Sequence, residues 1–509
     1  MPEPINIYRQ YTKEELETMI NSNQWAERST AILYIKQNKL KEFTNKVYLL
    51  LQKDPSASVR QISALTLADF QYKPAIPIIL QLIRKPQINS QEKIDINFLL
   101  DALGNFRDYN AIKEILFYLN DHDLTIRLRI IKILEEGSND FSIYQKNELG
   151  KIILSYAIQN RDSEKARTFA MALGRIQYKL SEDYLINLLE NPEEFENTKA
   201  AAILALGKIK STKSISLLFE NLKKYPSKLG ENSYIALKEI KDKSIINPSF
   251  ELLERENLDI QLLLVDILSE ISDESIKEKA YKLFKKQVPS TIASLSLLLG
   301  KLKYKQATND IIEILKNQSM PNREIIAQSL GWMQDKSSIQ TLIQILQEKE
   351  GEGRYGAAWS LGILEAKEAV PYLMKTAKSK DQKLSILSIE ALGHIKDPES
   401  LALLEELMDN PKIQFYAIDA ITYNPDKKAL EILKKYANQK GEVSHLAIEG
   451  LSKREDKEVI DILIQILKET DTEDTKAKLL YKALQRKTKK DFITKNQWLE
   501  WYKLQYIKK

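Results

Sequence analysis

No cysteine occurs in the chain, which removes disulfides, thiol nucleophiles and thiolate metal sites at once. Histidine is nearly as scarce, three in 509 residues, so an imidazole-built metal site is not expected either. Glycine and proline number fifteen each, and no stretch rich in them cuts the sequence into separate globular domains. There is no run of 18 apolar residues, and the start, MPEPINIYRQYTKEELETMI, lacks the basic-then-apolar order of a secretory leader. A cytoplasmic protein is expected, with an exported form left open if a leader was trimmed ahead of Met1. Strong charge of one sign is missing too: the net charge is +5, although 29% of the residues are charged. That fraction suits an elongated array, in which every unit touches only its neighbours and leaves much surface to water.

What is present is a period. Gly207, Lys238, Ser269, Gly300, Gly331, Gly362 and Gly393 follow one another at steps of 31 residues, each directly preceded by a leucine. Small insertions extend the register to Ala68, Gly104, Glu135 and Gly174 upstream and to Thr422, Ser452 and Gln485 downstream, with Ile421 the only preceding residue that is not leucine. A fixed period of this length means stacked supersecondary units, none of which buries its apolar face alone. In the unit from Arg354 to Lys380, Ala358, Leu361 and Leu364 stand at helical spacing; after a break, Val370, Leu373 and Ala377 do so again. Each unit is thus a pair of amphipathic helices. The fold expected is all-α, an α-α superhelix of about 14 helical hairpins. Its parts are an N-terminal helical cap over 1–55, the array over 56–486 and a basic, aromatic capping helix over 487–509.

Glycine in a helix costs about 1 kcal/mol against alanine, so glycine in seven of the fourteen landmark slots predicts close approach of neighbouring helices. Four residues past the landmark stand Asp108, Asp242, Asp273, Asp335, Asp397, Asp426 and Asp456, where a short acceptor can bond the free N–H groups of the next helix. Pro77 and Pro371 fall in the first turn of second helices, where proline is tolerated. Between Glu135 and Gly174 the spacing widens to 39 residues, and GSNDFSIYQKNELG predicts an enlarged turn there. The fragment GEGRYG at 351–356 has the glycines of a phosphate cradle but no Lys-Ser/Thr after it and no strand before it, so it reads as a turn between units.

The segments SVRQISALTLADFQYKPAIPIILQLI, TKAAAILALGKIKSTKSISLLFENL and LSILSIEALGHIKDPESLALLEELM, with the recurring ALG-type landmark, resemble HEAT-like repeats of the phycobilisome-lyase type over roughly residues 20–486. The resemblance implies a protein-binding scaffold and transfers no reaction. It also brings a basic residue eight positions before the landmark, here Arg60, Arg127, Lys199, Arg323 and Arg354, expected to tie adjacent units through turn carboxylates. Enzymes built from such repeats set tests that this sequence does not meet. Deoxyhypusine hydroxylase binds iron through His-Glu pairs, whereas His122, His394 and His445 precede Asp123, Ile395 and Leu446. The alkylpurine DNA glycosylase has a basic groove, but the second-helix position thirteen past the landmark alternates in sign, from Glu220 and Glu251 to Lys282 and Glu313. Bilin lyases resemble the repeats as well and stay a remote alternative, as does a glycosylase. No catalytic residue, cofactor or metal is expected, and neither nucleic acid nor a membrane is the expected partner.

Residues 476–509 hold eleven Lys/Arg against two acids, interleaved with Phe492, Trp498, Trp501, Tyr502 and Tyr506. A cap over the last unit's apolar flank is the favoured reading, and an adaptor for nucleic acid or an anionic membrane the alternative. A sharper candidate lies in the array. If the leucine before each landmark faces the core, the residues two before and two after it point the opposite way, at about 160° and 200°. Charged and polar residues mostly fill these slots. Trp359 in the first, Trp332 and Ile363 in the second, and Tyr355 one turn before Trp359 break the rule in adjacent units, with His394 at the edge. These five residues are the predicted docking site for a protein or peptide on a monomeric, non-catalytic scaffold.

Overall fold

A computed structural model describes residues 11–86, 92–160, 162–472 and 474–506. Among them are thirty-one α-helices and no strand. The chain forms two compact units, Met1–Pro248 and Ser249–Lys509. In the first, the leading helices of successive hairpins are α1 (Trp25–Gln37), α2 (Ala57–Asp69), α3 (Ile96–Phe106), α4 (Leu124–Gly137), α5 (Ser163–Arg175), α6 (Glu196–Lys208) and α7 (Lys228–Ile240). In the second they are α8 (Leu258–Ser269), α9 (Ile292–Lys301), α10 (Arg323–Met333), α11 (Gly353–Ile363), α12 (Gln382–Ile395), α13 (Gln414–Thr422), α14 (Glu442–Lys453) and α15 (Thr475–Thr488), followed by α16 (Lys495–Tyr506). Within each unit, consecutive leading helices pack side by side in one row. The second helix of a hairpin lies largely against the leading helix of the next, as Thr44–Lys53 does on α2 and Val370–Ala377 on α12. No hairpin closes its core by itself.

The landmark explains the row. A Cβ placed on Gly207 would stand 2.7 Å from Ala236 Cα, and one on Gly362 would stand 2.7 Å from Ala391 Cα, so these backbones touch where any side chain would hold them apart. Three residues further on, the turn needs a left-handed residue. Gln177, Lys210, Lys241, Lys303, Gln334, Glu365 and Lys396 supply it at φ between 51° and 58°, where glycine is usual. The turn is fixed by backbone bonds at both sides of that residue: at Lys210, its own N–H donates to the Gly207 carbonyl and Ser211 N–H donates to that of Leu206, each at 3.0 Å.

The aspartates act as expected at six of seven sites. Asp108, Asp242, Asp273, Asp335, Asp397 and Asp426 accept backbone N–H bonds at 2.8–3.1 Å at the start of the second helix or its 3-10 lead-in. Asp456 instead takes the guanidinium of Arg454 at 2.7 Å. Of the basic residues, Arg323 and Arg354 reach a carboxylate of the following turn as expected, whereas Arg60 and Arg127 bond carbonyls of the turn just before their own helix. Arg323 is buried; it donates to the Leu315 carbonyl at 2.8 and 3.0 Å and reaches Glu348 at 2.7 Å. Arg127 uses only the carbonyls of Asp121 and His122 and the Thr168 hydroxyl, and Arg60 the Asp54 carbonyl. For Arg354 the partner is Asp381, at 3.5 Å.

The stretch expected as an enlarged turn is different. Ser138–Asp140 is a single 3-10 turn, and the added residues lengthen the second helix to 17 residues, Ile143–Gln159, begun by a capping box between Ser142 and Gln145. Helix-compatible residues such as Tyr144–Leu149 prolong the helix instead of looping out. Within 1–55, residues 1–10 lie outside the described part, and the remainder contains α1 and its partner Thr44–Lys53, packed against α2 as one hairpin on another. At the other end, 507–509 and the Tyr506 side chain are outside it too. Trp498 of α16 is fully buried, its indole N–H donating to the Phe492 carbonyl at 3.1 Å, and Tyr502 O–H donates to Asp461 at 2.8 Å. Lys495 donates to the carbonyls of Lys468 and Thr470 at 2.8 Å, where the helix Val459–Glu469 ends.

Candidate functional site

The leading helices α10–α12 of the second unit carry the predicted residues, Trp332 on α10, Tyr355, Trp359 and Ile363 on α11 and His394 on α12. Tyr355, Trp359 and Ile363 stand at four-residue steps on α11 and therefore share one face. Gly331 on α10 makes room for Trp359, since a Cβ there would stand 2.9 Å from the indole ring. The ring thus leans across to α10 and meets Trp332, with centroids 5.5 Å apart and planes tilted by 44°. Trp332 remains 41% exposed, and Lys301 Nζ lies 5.9 Å from its centroid, a weak cation–π contact.

The five predicted residues do not form one cluster. Trp332 and Trp359 are joined by ring contact, while Trp359 and exposed His394 line a common pocket. Tyr355 is turned to a polar network. Its hydroxyl donates to Asp381 at 2.7 Å, and Lys383 sits 4.3 Å over its ring and pairs with Glu324 at 2.6 Å. The Asp381 bond holds the Tyr355 hydroxyl above its ordinary pKa, with desolvation adding to the shift. Ile363 is half-buried.

The pocket, of about 510 Å³, opens between α12 and α13. Its floor is made of small residues, Ala391, Gly393 and Ala420; a Cβ on Gly393 would lie 2.9 Å from Ala420 Cβ. Trp359, Phe415, Tyr416 and Tyr423 form aromatic walls, with Phe415 56% and Tyr423 52% exposed. Glu390 and Asp419 are its carboxylates, with His394 and Lys396 at the exposed rim. Crowding by neighbouring atoms raises the Glu390 pKa by desolvation; His394 pulls it down, and Asp419 pushes it further up. Phe415 also walls a shallower hollow with Ile418, Leu446 and Lys453 toward α14.

Sequence reasoning missed Phe415, Tyr416 and Tyr423. The signal for Tyr423 was in plain view: it follows the landmark Thr422 directly, the slot held by Trp332, Ile363 and His394. A second apolar strip was missed in the first unit. Met171, Leu204 and Ile235 occupy the slot of Trp359 in three consecutive repeats on α5, α6 and α7, and Ile235 is half exposed. They line a depression of about 130 Å³ rimmed by Arg175, Lys208 and Glu239.

Among the described residues no group of three or more His, Asp or Glu is placed to hold a metal ion, and no helix is long and apolar enough to cross a membrane. The family model for HEAT repeats matches residues 151–230, 283–362 and 339–412. HEAT repeats are present in the chain, and its fold is an all-helical solenoid of that type. The match is to HEAT repeats at large and singles out no finer branch. No curated protein matches the sequence significantly. Among solved structures, the chain is similar to yeast importin-beta, Kap95p, at 13% identity over 92% of this chain and 76% of that one, with a TM-score of 0.49. A Kap95:Nup1 complex gives 13% identity, the same coverage and a TM-score of 0.52. Kap121p bound to Ste12p gives 10%, 96% and 66%, and 0.50. At these identities the likeness is one of fold.

Proposed function

We propose that the protein is a non-catalytic, monomeric scaffold that binds a protein or peptide partner on the outer face of α10–α13. The observation that carries this reading is the contact of exposed Trp332 with half-buried Trp359, whose ring continues into the pocket walled by exposed Phe415 and Tyr423. Trp332, Phe415 and Tyr423 leave apolar ring surface in water on one row of helices, and aromatic residues are the types that dominate binding hot spots. The fold likeness gives general support: the Kap95 structure is a complex with Nup1 and the Kap121p structure a complex with Ste12p, both protein partners.

The nucleic-acid alternative is disfavoured by how the C-terminal segment is used. Trp498 is buried, and Lys495 and Lys487 donate to backbone carbonyls, so neither the ring nor those two charges are spread out for a phosphate backbone. The test is affinity capture from the native host with the wild-type chain and the double variant Trp332→Glu/Trp359→Glu, folding being checked by circular dichroism. The partner band should fall at least tenfold in the variant. An unchanged band from a folded variant refutes the site.

A further inference from the structure

We infer that the pocket between α12 and α13 receives a basic side chain, a lysine ammonium or an arginine guanidinium, carried by the partner polypeptide. This rests on reading the face as a protein-docking surface, and it adds the chemistry of the occupant. Three features of the pocket favour a cation. Its walls are the rings of Trp359, Phe415, Tyr416 and Tyr423, whose faces carry negative electrostatic potential. Two carboxylates, Glu390 and Asp419, stand among those rings. Neither is neutralised at close range: among the described residues Glu390 has no cation within ion-pair distance, and Asp419 has only Lys453 at 3.9 Å, which sits nearer Glu449 at 3.3 Å. Glu390 is exposed and Asp419 half-buried, so an arriving cation can reach both carboxylates from solvent.

The rim residues set the terms of entry. Lys396 and His394 are both exposed, so they can swing outward and leave the entrance clear. A free small amine would gain only the pocket. A polypeptide can also lay an apolar side chain on Trp332 and Trp359, and the two sites then act as one. From the α10–α11 ring pair to the pocket between α12 and α13 is two helix spacings, roughly 16–20 Å, and an extended chain advances about 3.3 Å per residue, so the apolar and basic residues should be about five to six positions apart.

The test uses the full-length protein and fluorescein-labelled peptides with a glycine/serine frame, a Leu-Leu pair and, about six residues on, an Arg-Arg pair. Anisotropy titration at low salt should show the arginine peptide binding at least tenfold tighter than the same peptide with glutamine for arginine. The double variant Glu390→Gln/Asp419→Asn, isosteric and on the surface, should remove that difference and leave the glutamine peptide unaffected. Equal binding of the two peptides, absence of binding by the arginine peptide, or full discrimination by the carboxamide variant overturns the inference. The two readings fail separately. Loss of partner capture in Trp332→Glu/Trp359→Glu with no arginine preference leaves the docking face standing without its cation pocket. Arginine preference with undiminished partner capture leaves the pocket and removes the docking face.

Discussion

Single residues in this chain serve the seams between hairpins more than the hairpins themselves. Arg323 is the clearest case, with its guanidinium divided between the carbonyl at the end of one second helix and the carboxylate of Glu348 in the following turn, both out of water. Truncation would leave a nearly buried carboxylate unpaired. Arg323→Ala should therefore destabilise the second unit by about 3 kcal/mol, and Arg323→Lys should recover only part of it, since an ammonium cannot make the fork. Urea denaturation followed by far-UV circular dichroism measures both. The sequence marked this residue through its spacing from the landmark, but not its full partner set, because backbone carbonyls leave no trace in residue type. Arg28 was passed over for a related reason. It pairs with Asp54 at 2.7 Å eight residues before Lys36, but Ile35 and Lys36 lack both the leucine and the small residue of the landmark pair, a double departure that no repeat in the register shows, so the first hairpin fell outside it.

Helices were legible wherever their apolar positions recur. The row of leading helices, the aspartates that open the second helices and the prolines in their first turns all follow from the 31-residue period. Where the elements meet was less so. The long helix Ile143–Gln159 hid behind Gly137, Ser138 and Asn139, which begin the inserted segment and look like a loop. The outward slots were read for aromatics and charges, so the milder series Met171, Leu204 and Ile235 passed unnoticed although its period is as regular. The landmark glycines give a direct test at this scale. Gly362→Ala would bring a Cβ against the backbone at Ala391, and α11 and α12 would have to separate. The expected cost is about 1–3 kcal/mol. Hydrogen exchange should quicken in those two helices, whereas alanine at exposed Gly441, whose Cβ would meet nothing within 4 Å but whose φ of 89° strains the turn before α14, should leave α11 and α12 unchanged.

At the scale of the whole chain, stability is a sum over neighbours. Each hairpin leans on the next, so damage should spread by contact and fade within a few repeats. Trp498, buried beneath α16, is the place to observe this. Trp498→Ala should cost about 3–5 kcal/mol locally and raise hydrogen exchange in Val459–Glu469 and α15, with the helices of the first unit retaining wild-type protection. Uniform loss of protection along the chain would show a single cooperative domain instead.

The contact of bare backbone on alanine at Gly207 and Gly362 has a mechanical meaning. Leading helices already at their closest approach cannot be squeezed further, so bending within a unit has to come from the opposite side, where successive second helices touch one another much less. The row behaves like the spine of a book whose pages can fan. A ligand gripping the spine meets a rigid rail and loses little to ordering it, while one gripping the pages would have to hold them still.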